Sequence, residues 1–214
     1  VQPGQRVAIV GPTGCGKTTI INLLMRFYDA DQGVVRIDGK DVRTMGLHDL
    51  RKRFGTVFQN DTIFEDTIME NINMGRELSE EAVMEAVLYG RASEFVEEKG
   101  GISAQLDIKG ANLSGGQKQR ILIARALAAK PDILILDDSS SALDYKTDAA
   151  LRKELREHFA ETTCVIIAQR ISSIMNSDHI MVLEDGQMIG YGTHQELMET
   201  CEIYREIGKS QMGI

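Results

Sequence analysis

The sequence predicts an α/β protein with a mostly parallel sheet and an α-helical segment inserted part-way along the chain. Three observations carry that expectation. Short apolar runs of four to six residues alternate with stretches of helical periodicity. The first run stops at a glycine-rich loop, as a buried strand does where it hands over to a helix. Between residues 60 and 125 the texture turns charged and helix-forming.

RVAIV (Arg6–Val10) reads as the first buried strand, and TIINLLMRF (residues 19–27) has the apolar spacing of the helix that follows. VVRIDGK supplies a strand and an Asp38-Gly39 turn, and GTVFQ (residues 55–59) another short strand. TIMENINM, SEEAVMEAVLYG and RASEFVEEKG predict three helices, the second with Ser79 at its N-cap. ILIARALAA (residues 121–129) is a further helix, stopped at Lys130-Pro131. Strands return at ILIL (residues 133–136), TCVIIA (residues 163–168) and HIMVLE (His179–Glu184). An Asp185-Gly186 turn then leads into QMIGYG as a hairpin. Between these strands KTDAALRKELREHF and THQELMET are helical, the latter opening with a Thr193/Glu196 capping box.

The chain has 214 residues, a hydrophobic content of 43% and a formal charge of −8. That acidic balance argues against a nucleic-acid partner bound through a broad basic face. No apolar run approaches the ~18–20 residues that span a bilayer, so the chain is expected to be soluble, by itself or as one domain of a membrane protein. Cys15, Cys164 and Cys201 are widely spaced and show no zinc pattern. Cys15 stands inside the glycine-rich loop at a predicted helix start, so its alkylation is expected to block whatever anion the loop holds.

Gly11, Gly16, Lys17 and Thr18 satisfy G-x-x-x-x-G-K-[ST], a phosphate-binding loop covering Gly11, Pro12, Thr13, Gly14, Cys15, Gly16, Lys17, Thr18 and Thr19. Its backbone amides approach phosphates, Lys17 reaches the β and γ oxygens, and the Thr18 hydroxyl ligates Mg²⁺. ILILDD ends in Asp137 and Asp138 at the carboxyl end of a buried strand, where ligands sit in open α/β sheets. Asp137 is placed to hold Mg²⁺ through water and Asp138 to act as a general base; an isolated pair of this kind could also serve a turn or a helix cap. Ser114, Gly115, Gly116 and Gln117 precede a helix and offer a second anion nest. One nucleotide needs only the first loop, so the second implies a site shared between two chains.

The set together resembles the nucleotide-binding domain of ABC transporters of the exporter type, over essentially the whole chain. The resemblance rests on the Walker A loop (residues 11–19), Gln59 as the Q-loop glutamine and the signature LSGGQ (residues 113–117). It rests also on the Walker B strand (residues 133–138) and the D-loop SALD, Ser141 to Asp144. It implies a phosphate-loop NTPase, RecA-like core at residues 1–59 and 126–214, a helical signature subdomain at 60–125, and a truncated N-terminal β subdomain that lacks the adenine-stacking aromatic residue. It implies ATP and Mg²⁺ as ligands, with Thr18, Gln59 and Asp137 around the metal. Two such domains would close head to tail around two ATP molecules, each contacting Walker A of one chain and the signature of the other, with Asp144 working across the interface. The implied setting is the cytoplasmic face of the cell membrane, with QNDTIFEDTIMENI (residues 59–72) meeting the coupling helices of a transmembrane domain. Fewer than a hundred residues separate Lys17 from Ser114, which leaves no room for the long coiled coil of chromosome-maintenance ATPases.

Two positions depart from that family's pattern. Asp138 stands where efficient members have Glu, and Gln169 in VIIAQR stands where they have a switch His. Asp is one methylene shorter, and Gln carries no titratable proton. General-base catalysis contributes about 10²–10⁴ in rate, so both departures weaken the same step. Lys17, Thr18 and Asp137 leave binding intact. The expectation is a slow, degenerate site whose intact signature completes the site of a different partner subunit. The CEIYREIGKSQ tail (residues 201–211) resembles that half of bacterial heterodimeric exporters. The alternative is a regulatory ATP-binding module that barely turns over.

Overall fold

Apolar strands buried on both faces need cover on both faces, and the chain supplies it with helices. A computed structural model of the chain describes residues 1–139, 142–168 and 170–212. Among these, β1 (Arg6–Val10) leads into α1 (Lys17–Leu24), then β2 (Arg36–Ile37), β3 (Lys40–Asp41), α2 (Leu47–Lys52) and β4 (Phe54–Val57). Helices α3 (Ile68–Asn73), α4 (Glu80–Tyr89), α5 (Ser93–Glu98) and α6 (Gly115–Ala128) follow. The second half runs β5 (Ile133–Asp137), α7 (Tyr145–His158), β6 (Thr163–Ile167), α8 (Ile171–Ile174), β7 (His179–Glu184), β8 (Gln187–Gly192), α9 (His194–Thr200) and α10 (Glu202–Met212).

The main sheet has the order β4-β5-β6-β1-β7-β8, parallel throughout except for the β7–β8 hairpin. The mostly parallel sheet expected from the sequence is therefore present. VVRIDGK supplies the expected strand and turn: β2 pairs antiparallel with β3 across Asp38-Gly39, in a two-stranded sheet apart from the main one. The Asp38-Gly39 and Asp185-Gly186 turns both take positive φ at each residue (50° and 76°; 46° and 77°), as type I′ hairpins require.

Alternation along the strands sorts the core into two faces. Ile9, Ile135, Val165 and Ile167 pack with Ile21 and Met25 of α1 and Leu50 of α2. On the opposite face, Leu134 and Leu136 meet α6 and Leu151 and Leu155 of α7, while Ala8 and Val10 meet α8, α9 and α10. Ile121, Ile123 and Leu127 of α6 are fully buried, each contributing about 1.5–3 kcal/mol. The division drawn at residue 125 lies inside α6, which packs on both the helical segment and the sheet. No helix among the described residues is long and apolar enough to cross a membrane.

Arg125, half-buried midway along α6, fastens this helix to the segment after β4. Its guanidinium donates to the Asn71 carbonyl (2.7 Å), the Thr62 carbonyl (3.0 Å) and Asn71 Oδ1 (3.1 Å). Asn71 in turn closes the 64–67 turn, accepting from Phe64 N (2.8 Å) and donating to the Phe64 and Thr67 carbonyls (3.0 Å each). Removing the guanidinium leaves these acceptors short of partners inside the fold. Arg125→Ala is expected to cost about 2–3 kcal/mol, a fall in Tm of about 4–12 °C by thermal denaturation. An unchanged Tm would show that the clamp contributes nothing to stability.

Candidate functional site

The phosphate loop leaves β1 at Gly11, where a Cβ would fall 2.1 Å from the Leu183 carbonyl oxygen, so only glycine passes there. Cys15 N donates to Pro12 O (3.3 Å), and Gly186 N donates to Cys15 O (3.1 Å), tying the loop to the β7–β8 turn. Pro12, Thr13, Gly14, Thr18 and Thr19 are exposed around the opening. Helix α1 starts at Gly16, in the left-handed region (φ 102°), and has no side-chain cap. The helices α3, α4, α6, α7 and α9 are all capped by their own Thr, Ser or Asp. The first amides of α1 thus keep their donors for an external acceptor, at the positive end of the helix.

Lys17 lies over this opening. Its ammonium donates to the carbonyls of Gly11 (2.8 Å) and Pro12 (2.7 Å) and to Cys15 Sγ (3.6 Å). Free helix amides together with one ammonium form a donor set fit for a polyphosphate. Cys15, though its Sγ takes that contact, is buried and packs with Ile9, Ile21 and Ile167. The expected block by alkylation therefore meets a thiol that faces the core.

Register aligns the remaining groups. Leu136 of β5 pairs with Val57 of β4 and with Ile166 of β6, and Ile9 of β1 pairs with Ile167. Gln59, Asp137 and Asp138 therefore emerge at one sheet edge with the phosphate loop. Gln59 is exposed in a turn that Asp61 closes by accepting from Phe58 N (2.8 Å). β4 ends at Val57, two residues earlier than expected, and this turn is what places Gln59 beyond the strand. Asp137 is buried, and burial raises its pKa, reinforced by the charge of Asp138 and opposed by Lys17. Burial also raises that of Asp138, with Arg170 opposing. Asp138 sits at φ 52° and its N–H donates to Ile167 O (2.9 Å). Among the described residues no cluster of three or more His, Cys, Asp or Glu could hold a metal. Asp137 with the Thr18 hydroxyl instead suits a cation that keeps several waters and phosphate oxygens, the habit of Mg²⁺.

Ser114 is the N-cap of α6. Its Oγ accepts from Gln117 N (3.2 Å), and Gln117 Oε1 accepts from Ser114 N (2.9 Å). The S-x-x-Q spacing carried this capping box in plain sight, although the sequence reading assigned these residues only to an anion nest. Gly115 and Gly116 retain amides without intrahelical acceptors. A Cβ on Gly116 would stand 3.2 Å from the Ala142 carbonyl oxygen, so the signature lies against the D-loop of the same chain. Asp144 caps α7, accepting from Thr147 N (2.9 Å) and Thr147 Oγ1 (2.6 Å), and these bonds lower its pKa. Ser141 and Gln169 lie outside the described residues. Arg170, beside Asp138, was not foreseen; nothing local in the sequence links the two.

A phosphate loop at the carboxyl edge of a parallel sheet, an acidic pair beside it and a second glycine-headed helix define a nucleotide-binding domain of the phosphate-loop class. The profile of the ABC transporter family matches residues 1–141, and the chain belongs to that family. It is 42% identical over 214 residues to an ATP-dependent lipid A-core flippase of Methylobacillus flagellatus, covering 99% of this chain and 37% of the relative. It is 40% identical over 218 residues to ATP-binding cassette sub-family B member 6 of Xenopus tropicalis, covering 100% of this chain and 25% of that protein. A solved bacterial Atm1-family ABC exporter with ATP bound matches with a TM-score of 0.94 at 39% identity, over 98% of this chain and 37% of the other. The chain is an exporter-type ABC nucleotide-binding domain, and it spans roughly a quarter to two fifths of the length of these relatives.

Because burial holds the carboxyl pKa of Asp137 above its unfolded value, its contribution to stability is full below the ordinary carboxyl range. That contribution is lost as pH rises through the folded value. At neutral pH its charge is a cost that a bound cation would offset. Asp137→Asn is expected to raise the Tm of the ligand-free protein at pH 7, by about 2–4 °C for each kcal/mol relieved, while abolishing Mg²⁺-dependent nucleotide binding. A lowered Tm would place the carboxylate among stabilising rather than functional groups. Cys15 is expected to react with iodoacetamide far more slowly in the native than in the urea-unfolded chain, and rapid native labelling would contradict its burial.

Proposed function

We propose that this chain is the ATP-driven motor domain of an exporter at the cytoplasmic face of a membrane. It closes head to tail on a second nucleotide-binding domain around ATP and Mg²⁺ and passes that motion to a transmembrane domain. The carrying observation is the contrast between two helix starts. Helix α1 is uncapped and has an ammonium beside it. Helix α6 caps itself, and among the described residues no hydrogen bond or ion pair links residues 114–117 to 11–19. A signature with no nucleotide partner in its own chain supports its service to the facing domain.

Bound Mg·ATP supplies the scissile phosphoanhydride and the metal charge; the residues do the rest. Lys17 exchanges its carbonyl partners for phosphate oxygens, with the α1 amides alongside. Thr18, Asp137 and Gln59 would hold the cation, Asp144 would act across the interface, and residues 60–125 form the signature-bearing subdomain on the core of 1–59 and 126–214. Residues 59–72, where Gln59 and Phe64 are exposed, are the meeting point with the coupling helices of the transmembrane domain.

We read the site as slow and its partner as a different subunit. The Asp138 carboxylate stops one methylene short of where a Glu would reach the attacking water, and Gln169 has no proton to exchange. The same two residues favour the second reading, a regulatory module that holds ATP without turnover. Mg²⁺-dependent turnover by the parent and by the Asp138→Glu/Gln169→His variant, at saturating ATP, separates the readings. The expected result is a slow parent and a variant faster by about 10²-fold or more. A parent as fast as the variant would overturn the degenerate-site reading, and tight ATP binding with no turnover would select the regulatory module.

A further inference from the structure

Helix α8 is a single turn, Ile171–Ile174, and one turn of helix does not hold itself in place. Its preceding residue, Arg170, makes no side-chain cap. Neighbours supply what it lacks. Ile171 and Ile174 are fully buried in a cluster with Ala168, Leu197 and Tyr204. The Ile171 N–H donates to Gln211 Oε1 of α10 (2.7 Å), and Arg152 of α7 donates to the Ser173 carbonyl. Position 211 is the last residue of the CEIYREIGKSQ tail.

What α8 fixes is Arg170 at its start, close to the sheet edge where Asp138 N bonds Ile167 O. We propose that Gln211 is a positioning residue for ATP hydrolysis: by capping α8 from the C-terminal helix it sets Arg170, the residue that opens this helix, at the sheet edge that carries Asp138. This rests on the ATPase reading above. The C-terminal helix then governs turnover at its own nucleotide site without touching the nucleotide. Arg152 holds the same turn from α7, the helix headed by Asp144, so α8 is gripped from both sides. The Gln211 contact, unlike the buried isoleucines, is a polar bond made by an exposed residue and can be removed without opening the core.

The test compares Gln211→Ala and Gln211→Glu with the parent in the intact transporter. Loss of one cap is expected to lower kcat about three- to tenfold and to speed amide exchange at Ile171 by a similar factor. KM for ATP should stay within about twofold, because the phosphate loop is untouched. Gln211→Glu keeps an acceptor at the helix start and should retain both parental values. Unchanged kcat and exchange in Gln211→Ala would overturn the proposal. So would equal losses in both variants that follow a fall in Tm, the signature of a merely structural role. A parent that binds ATP without detectable turnover would sink the motor reading instead. In that case faster Ile171 exchange in Gln211→Ala, restored in Gln211→Glu, would still support the cap, and unchanged exchange would refute it.

Discussion

The backbone ladder that pairs β5 with β4 on one side and β6 on the other, continued through β6 to β1, is the constraint on which the rest depends. Parallel pairing puts the carboxyl ends of all these strands on one edge. Four segments far apart in sequence therefore deliver the phosphate loop, Gln59, the Asp137-Asp138 pair and the residues leading to α8 to the same place. A slip of one residue in β5 would turn Leu134 and Leu136 away from α6 and move both carboxyl groups off the edge. The apolar alternation of the strands thus fixes the chemistry as firmly as it fixes the core.

Helix ends divide the labour. Helices α3, α4, α7 and α9 satisfy first amides with their own Ser, Thr or Asp. Helix α1 begins on Gly16 and leaves those amides for an anion. Helix α6 falls between, with Ser114 and Gln117 closing part of its start and Gly115 and Gly116 left available. Helix α8 borrows its cap from α10. The same backbone requirement thus yields an anion site, a structural cap and a contact between distant segments, depending only on what stands at one position.

Charge follows the same economy of placement. Asp137 and Asp138 are held against their own desolvation and each other, with Lys17 and Arg170 partly compensating. A cation between Asp137 and a polyphosphate would relieve that arrangement, which is why the acidic pair and the basic loop belong together. Arg125 does comparable work away from the chemistry. It satisfies carbonyls in an irregular segment and so ties the stretch after Gln59 to α6.

Much of this was legible in the amino-acid order. The phosphate loop, the β1, β5, β6, β7 and β8 strands, both Asp-Gly turns and the Thr193/Glu196 capping box depend on contacts within a few residues. Local spacing therefore determined them. Strand β3 and helices α2 and α8 went unnoticed, because elements so brief carry too little periodicity to register. Tertiary structure alone decided that Cys15 faces the core, that Arg125 reaches Asn71 and Thr62, that Arg170 approaches Asp138, and that Gln211 caps α8. Each of those unites residues separated by a strand or a helix, and no local pattern encodes which side chain a folded chain will bring beside another.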